Sequence, residues 1–184
     1  MDKIIQKIQV IDDIAFNVNL VKNASSVSIA ENVLLTRIYT GQLMYVDSRD
    51  VSVVPHLLMS GTWESEIAQL FREYVKAESV VFDIGSNTGF FGVIAGTHID
   101  SGSIHFFEAN PIWEGLLQKT LIVNGLDQIS TINTNAVSDI TGDTVNLYMC
   151  DDLWGSNSLH KNSTQSVVGN DWGKIIEQKI RSVQ

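Results

Sequence analysis

The stretch of sequence that decides the fold is VVFDIGSNTGFF, residues 80–91. It opens with a short, almost wholly apolar run, which is typical of a parallel strand that is covered on both faces. The run ends at Gly85, and the turn SNTG then leads into FFGVIAGTHI, where four apolar residues follow helical spacing. The stretch therefore predicts a buried strand, a glycine-containing turn and a helix.

The next fifty residues repeat this order of elements. A second strand is predicted from Ile104 to Phe107, and it closes at Glu108. Asn110 is a good N-cap, and Pro111 suits the first helical position, so a second helix should follow. A third strand, from about Ser130 to Ala136, completes a β-α-β-α-β succession. Consecutive parallel strands of this kind wind right-handed into one sheet.

The flanking segments differ from this central unit. A hairpin is predicted over residues 32–46, and apolar spacing predicts an amphipathic helix over residues 65–76. Residues 144–149 should form a strand with residues 174–183 as its distant partner, while residues 151–171 are polar and loop-like. We expect an N-terminal β-containing cap over residues 1–60 and a Rossmann-like domain over residues 61–184.

Composition narrows the classes of function. The chain has 184 residues, a net charge of -9 and few charged side chains, so we expect a folded protein without a nucleic-acid partner. Asp12 and Asp13 interrupt the N-terminal apolar stretch, and no run approaches the length of a membrane span. The single cysteine, Cys150, suits a reducing compartment. These features predict a soluble, cytoplasmic protein that does not bind membranes.

The turn after the first strand indicates a nucleotide cofactor. A dinucleotide-binding turn would show G-x-G-x-x-G, but this chain has only Gly85 and Gly89, with Asn87 at the middle position. Asp83 would repel a pyrophosphate, yet its carboxylate could attract the amino group of a methionine moiety. Glu108 at the end of the second strand could accept both hydroxyls of a ribose. These residues favour S-adenosylmethionine over a nicotinamide dinucleotide.

Several motifs in succession resemble the FkbM family of S-adenosylmethionine-dependent methyltransferases. They are VVFDIGSNTGFF, FFEANP, a helix that ends in NGL, and NAVSD followed by TGDTVNLYM. The resemblance runs from about Gly61 to Met149. It implies a class I methyltransferase fold: an α/β three-layer sandwich with a mostly parallel sheet. It also implies O-methylation of a hydroxyl on a small molecule or carbohydrate.

The resemblance also implies which residues bind the cofactor. Asp83, Gly85, Ser86, Asn87 and Gly89 would line the methionine end, and Glu108 would hold the ribose. Ala109 and Asn110 would edge the adenine, Asn135 and Ala136 would touch the base, and Glu64 would lie near the cofactor.

The chain departs from the family after residue 149. The family continues with further strands that contribute to the reaction centre, so we expect a fold that is incomplete at its C-terminus and nominate no catalytic base. Asp151 and Asp152 form an acidic pair that suits a solvated loop better than a metal or a base, and no metal site is predicted. The alternatives are a catalytically incompetent cofactor-binding fragment and, less favoured, a NAD-dependent oxidoreductase.

Overall fold

The computed structural model describes residues 25–139, 142–150, 153–168 and 174–183. The strands are β1 (Ser26–Ala30), β2 (Val33–Arg37), β3 (Leu43–Asp47), β4 (Val80–Ile84), β5 (Ser103–Phe107), β6 (Ser130–Asn133), β7 (Ala136–Val137), β8 (Thr144–Cys150) and β9 (Ile175–Val183). The helices are α1 (Val54–Ser60), α2 (Ser65–Tyr74), α3 (Phe90–Gly96), α4 (Ile112–Val123) and α5 (Lys161–Val168), and a 3₁₀ turn spans Trp154–Ser156.

A parallel sheet of β4, β5 and β6 forms the centre of the molecule. The strands lie in sequence order, with Asp83 opposite Phe106 and Phe107 opposite Asn133. Helices α3 and α4 connect them, and because parallel crossovers are right-handed, both helices lie on one face. The predicted β-α-β-α-β unit is confirmed, and it brings the carboxyl ends of the three strands to one edge of the sheet.

The opposite face of this sheet differs from the prediction. Val80, Phe82 and Ile84 are 58%, 59% and 62% exposed, whereas the alternate residues Val81 and Asp83 are buried beneath the helices. The expectation that β4 is covered on both faces is therefore wrong for the described residues. The apolar run predicts burial on both faces, but the described residues pack against only one of them.

The predicted third strand is broken into two. β6 pairs with β5 until β5 ends at Phe107, and after Asn133 it has no further partner there. The chain resumes as β7, which belongs to a second sheet of order β7-β9-β8. In that sheet Ala136 lies opposite Ser182 in parallel pairing, while β8 pairs with β9 antiparallel. The predicted pairing of the strand at residues 144–149 with residues 174–183 is confirmed.

An antiparallel sheet of β1, β2 and β3 packs against α4. It contains the predicted hairpin and adds β1, which was not predicted. The backbone N–H of Tyr45 donates to the Thr120 hydroxyl at 3.0 Å, and side chains of this sheet share one apolar core with α3 and α4. The predicted domain division at residue 60 therefore falls within a continuous core and stays a prediction. Residues 1–24 of the predicted cap lie outside the described residues.

The segment predicted as a polar loop is partly ordered into helix. The 3₁₀ turn at Trp154–Ser156 and helix α5 lie within residues 151–171, so the prediction of a loop is wrong there. The reason is tertiary: Trp154 is buried and contacts the ring of Trp113 edge-on, with ring centroids 5.3 Å apart. The acidic pair Asp151 and Asp152 lies outside the described residues.

Candidate functional site

A cavity of about 450 Å³ opens at the carboxyl edge of the parallel sheet. One side, which we call the strand-end wall, consists of Gly85, Asn87, Glu108, Ala109, Asn135 and Ala136. The other side, which we call the outer wall, consists of Ser52, Val53, Trp63, Glu64 and residues 154–159. This volume lies in the range that small-molecule and cofactor pockets occupy.

The turn after β4 presents its backbone to the cavity. The N–H groups of Gly85 and Ser86 both donate to the carbonyl oxygen of Phe107, at 2.9 and 3.1 Å, which fixes the turn against β5. Gly85 has a φ of +72°, and no atom lies within 4 Å of the position that a Cβ would occupy. A ligand can therefore approach the Gly85 backbone closely, as the sequence predicted.

Glu108 holds the two strand-end turns together and lines the cavity. Its Oε2 accepts a hydrogen bond from the Asn87 N–H, and its Oε1 accepts one from the Asn110 N–H, both at 2.7 Å. The residue is only 8% exposed, and this burial raises the pKa of the Glu108 carboxyl despite the two backbone donors, which lower it. The side chain is thus pre-positioned, with one accepting site left on each oxygen.

Asp83 lies elsewhere, and this corrects the prediction of a direct contact with the methionine moiety. Its Oδ2 accepts a hydrogen bond from the Gly92 N–H at 2.9 Å, and the side chain, 7% exposed, is not among those that line the cavity. Burial raises the pKa of Asp83 to about 6, while the Gly92 bond lowers it. The alternation of side chains along β4 places Asp83 beneath α3. Its hydrogen bond with the Gly92 N–H links the helix to the strand.

Three further predicted residues shape the turns without lining the cavity. Gly89 precedes α3 with a φ of +80°, and a Cβ there would lie 2.4 Å from Leu117 Cδ1. The Oδ1 of Asn110 accepts the Ile112 N–H at 3.1 Å, but α4 begins at Ile112 and Pro111 is its N-cap residue, so the helix starts one residue later than predicted. Ser86 is buried, and its hydroxyl has no hydrogen-bond partner among the described residues.

The other seven predicted residues line the cavity together. They are Glu64, Gly85, Asn87, Glu108, Ala109, Asn135 and Ala136. Among the described residues, three that are not glycine have positive φ, and two of these, Glu64 at +42° and Asn87 at +51°, belong to this group. Backbone strain of this kind clusters at ligand sites.

Apart from Glu64, the outer wall consists of residues that sequence reasoning missed. Asp50, 1% exposed, anchors this wall by accepting backbone N–H bonds from Val53 and Val54 at 3.0 Å and from Trp154 at 3.3 Å. The Gly155 N–H also donates to the Ser52 hydroxyl at 2.8 Å. No periodicity marks these residues in the sequence, because contacts over more than a hundred positions bring them together.

The cavity is acidic. Glu64 and Glu108 line it, and no Lys, Arg or His does so among the described residues. Carboxylates near a ligand favour a positively charged group and oppose a phosphate. This electrostatic character suits the sulfonium and ammonium groups of S-adenosylmethionine better than the pyrophosphate of a dinucleotide.

Comparisons with known proteins find similar solved structures. The chain matches no protein-family model and no curated protein, so the resemblance to the FkbM family stays a prediction. It is similar to aTrm5 in complex with tRNALeu, at 14% identity over 64% of this chain and 40% of that one, with a TM-score of 0.43. Trm5 of Methanocaldococcus jannaschii in complex with adenosine is 16% identical over 65% and 43%, with a TM-score of 0.44. A SAM-dependent O-methyltransferase of Thermotoga maritima is 18% identical over 59% and 43%, with a TM-score of 0.37.

The chain spans about two fifths of the length of these structures. The complex with tRNALeu contradicts the expectation that nucleic acid is excluded as a partner, so that prediction is wrong. It rested on a net charge that averages over the whole surface and does not describe any one face. In the described ranges no helix is long and apolar enough to cross a bilayer. The chain has an α/β fold with a parallel sheet, consistent with the class I, Rossmann-like methyltransferase fold.

Proposed function

We propose that the cavity binds S-adenosylmethionine and that the chain carries the donor-binding part of a methyltransferase. The observation that supports this most strongly is Glu108, a buried carboxylate that lines the cavity at the end of β5 beside the open backbone of Gly85. The agreement of cavity volume, strand-end position and acidic lining adds to it.

Each lining residue then has a role in binding. Glu108 accepts the two ribose hydroxyls with the accepting sites that its backbone bonds leave free. Gly85, Asn87 and Glu64 face the methionine end, while Ala109, Asn135 and Ala136 face the base. The remaining four residues stabilise the turns and do not contact the ligand: Asp83, Ser86, Gly89 and Asn110.

When bound, S-adenosylmethionine supplies an electrophilic methyl group on its sulfonium. The chain's own contribution is to hold this donor in one orientation and to shield it from water, since methyl transfer depends largely on positioning. The finer proposal is that the acceptor is a hydroxyl group. It is supported by the motif resemblance and by the serine residues Ser52, Ser156 and Ser158 of the outer wall.

Calorimetric titration of the purified chain with S-adenosylmethionine, S-adenosylhomocysteine and NAD tests the cofactor. We expect the first two to bind and NAD not to bind. Binding of NAD alone would favour the oxidoreductase alternative and overturn the proposal.

A second experiment tests transfer. The chain is incubated with S-adenosylmethionine that carries a labelled methyl group, together with a panel of hydroxylated small molecules and with unmodified tRNA. Label on a hydroxylated acceptor is the expected outcome, and label on tRNA would replace the finer proposal with a nucleic-acid acceptor. Cofactor binding without label on any acceptor would favour the incompetent-fragment alternative.

A further inference from the structure

Two tryptophans of the outer wall line the cavity, and they differ in what already contacts their rings. Trp154 is buried, with the Arg49 guanidinium over its ring at 5.2 Å and the ring of Trp113 against it. Trp63 is half-buried and contacts one ring, that of His56, at a centroid distance of 4.9 Å and an angle of 63°. No Lys or Arg lies over Trp63 among the described residues. Of the two, Trp63 is therefore the one with ring surface left for a ligand.

Helix α2 places Trp63 beside the turn that follows β4. Phe71 of α2 stacks on Phe91 of α3, with ring centroids 5.2 Å apart, so the two helices pack side by side. Helix α3 starts directly after that turn, and Glu64, the residue before α2, lines the cavity together with Gly85. Trp63 comes immediately before Glu64 and lines the same cavity. The start of α2 therefore brings Trp63 to the β4 end of the cavity.

The order of groups in S-adenosylmethionine puts its sulfonium at this same end. The ribose lies between the base and the sulfur, so the base and the sulfur extend from it in different directions. In the proposed function Glu108, at the end of β5, holds the ribose, while Ala109 and Asn135 face the base. The sulfur then lies on the other side of Glu108, toward Gly85 and Trp63.

An indole ring in an acidic cavity suits a sulfonium. The face of an aromatic ring carries negative charge and attracts a cation, and Trp does so more strongly than Tyr or Phe. No Lys, Arg or His lines the cavity in the described ranges, so no side-chain cation there competes for the ring, and Glu64 adds a carboxylate next to it. A sulfonium has no N–H to donate, so an aromatic face suits it better than a hydrogen-bond acceptor does.

We propose that Trp63 binds the sulfonium of the cofactor and makes the cavity prefer S-adenosylmethionine to S-adenosylhomocysteine. This inference rests on the proposed function. S-adenosylhomocysteine lacks the methyl group and the positive charge, so its neutral thioether loses the attraction to the Trp63 ring. The residue therefore acts as a specificity determinant, which holds the donor and lets the product leave more readily.

The test uses Trp63→Leu, which keeps an apolar side chain and removes the aromatic ring. S-adenosylmethionine and S-adenosylhomocysteine are each titrated calorimetrically into the wild type and the variant. We expect the wild type to prefer S-adenosylmethionine by about 10-fold, and this preference to fall to about 2-fold or less in Trp63→Leu. Trp63→Phe should lie between the two, because a benzene ring attracts cations less strongly than an indole does. Tyr74→Leu is the matched control, since it removes a 71% exposed ring at the far end of α2 that does not line the cavity.

The outcomes separate the two proposals. If the wild type binds both ligands without a preference, or if Trp63→Leu keeps the preference, the role of Trp63 is refuted while the proposed function stands. If Trp63→Leu weakens both ligands by the same factor, the ring provides apolar contact alone and the inference is again refuted. If the wild type binds neither ligand, the proposed function and this inference fail together. If Trp63→Leu does not fold, Trp63→Phe decides, and an unchanged preference in that variant overturns the inference.

Discussion

The ends of β4 and β5 carry one carboxylate each, and the two side chains do different things. Asp83 lies within β4, on the face that α3 covers, and it accepts the Gly92 N–H. Glu108 lies one residue beyond β5, where the chain leaves the sheet, and it lines the cavity. Two acidic residues at neighbouring strand ends look equivalent in the sequence. Side-chain alternation and the position of the strand end decide which of them meets a ligand.

The comparison also concerns charge. Burial raises the pKa of both carboxyls, and the nearby charge of Asp83 raises the pKa of Glu108 further. Glu108 accepts hydrogen bonds from two backbone N–H groups, whereas Asp83 accepts one from Gly92. Donors of this kind favour the ionised form of a carboxyl. Glu108, the carboxylate that accepts more backbone hydrogen bonds, is therefore the one that lines the cavity.

The largest expected effect comes from exchanging each carboxylate for its amide. Glu108→Gln removes the charge and replaces an accepting oxygen with a donor, so the affinity for S-adenosylhomocysteine should fall by about 100-fold. Asp83→Asn should change it by no more than about 3-fold, because Asp83 does not line the cavity. Calorimetric titration of both variants measures this difference. Equal losses in the two variants would show that the side chains share one role.

The second prediction concerns the pH dependence of stability. Burial raises the pKa of Asp83 to about 6, above its unfolded value, so the folded chain binds this proton more tightly than the unfolded chain. The resulting stability is present below the unfolded pKa and is lost as the pH rises through about 6. Between about pH 4 and about pH 7 the wild type should therefore lose up to about 3 kcal/mol of unfolding free energy relative to Asp83→Asn.

Urea unfolding of both proteins at the two pH values measures this change. Asp100→Asn alters an exposed carboxyl and serves as the control. A constant difference between the wild type and Asp83→Asn would mean that Asp83 has an ordinary pKa in the folded chain.

The third prediction concerns the contact between Asp83 and α3. A Cβ at Gly92 would lie 2.2 Å from Phe106 Cε1 and 3.1 Å from Asp83 Oδ2, so Gly92→Ala should cost about 2 kcal/mol of unfolding free energy through overpacking. Gly115→Ala in α4 is the matched control, since no atom lies within 4 Å of its Cβ position. That exchange should stabilise the chain by about 0.5 to 1 kcal/mol. Denaturant unfolding compares the two, and a stable Gly92→Ala would contradict the close packing of α3 on β5.

Local patterns in the sequence predicted much of the fold. Apolar runs, helical spacing and turn residues are patterns among residues that are close in the sequence. They predicted β4, α2, α3 and the pairing of β8 with β9. The break between β6 and β7 could not be predicted in this way. β6 ends at Asn133, opposite Phe107, the last residue of β5, and the next strand, β7, pairs with β9 in another sheet.

The strand-end wall could be predicted from the sequence, whereas Glu64 was the one residue of the outer wall that was predicted. Gly85 and Glu108 come directly after predicted strands, so the sequence predicts that both lie at the carboxyl edge of the sheet. Asn157 belongs to a polar segment without periodicity, and it reaches the cavity only because Asp50, more than a hundred residues away, binds the neighbouring turn. The orientation of Asp83 was within reach of the sequence, since strict alternation along β4 places it on the same face as Val81.

The most direct test is a crystal structure of the chain with S-adenosylhomocysteine. We predict that both ribose hydroxyls lie within hydrogen-bonding distance of the Glu108 carboxylate, and that Asp83 still accepts the Gly92 N–H behind the turn. A ligand bound outside this cavity would contradict the account. So would a complex in which Asp83 turns to hold the ligand while Glu108 makes no contact with it.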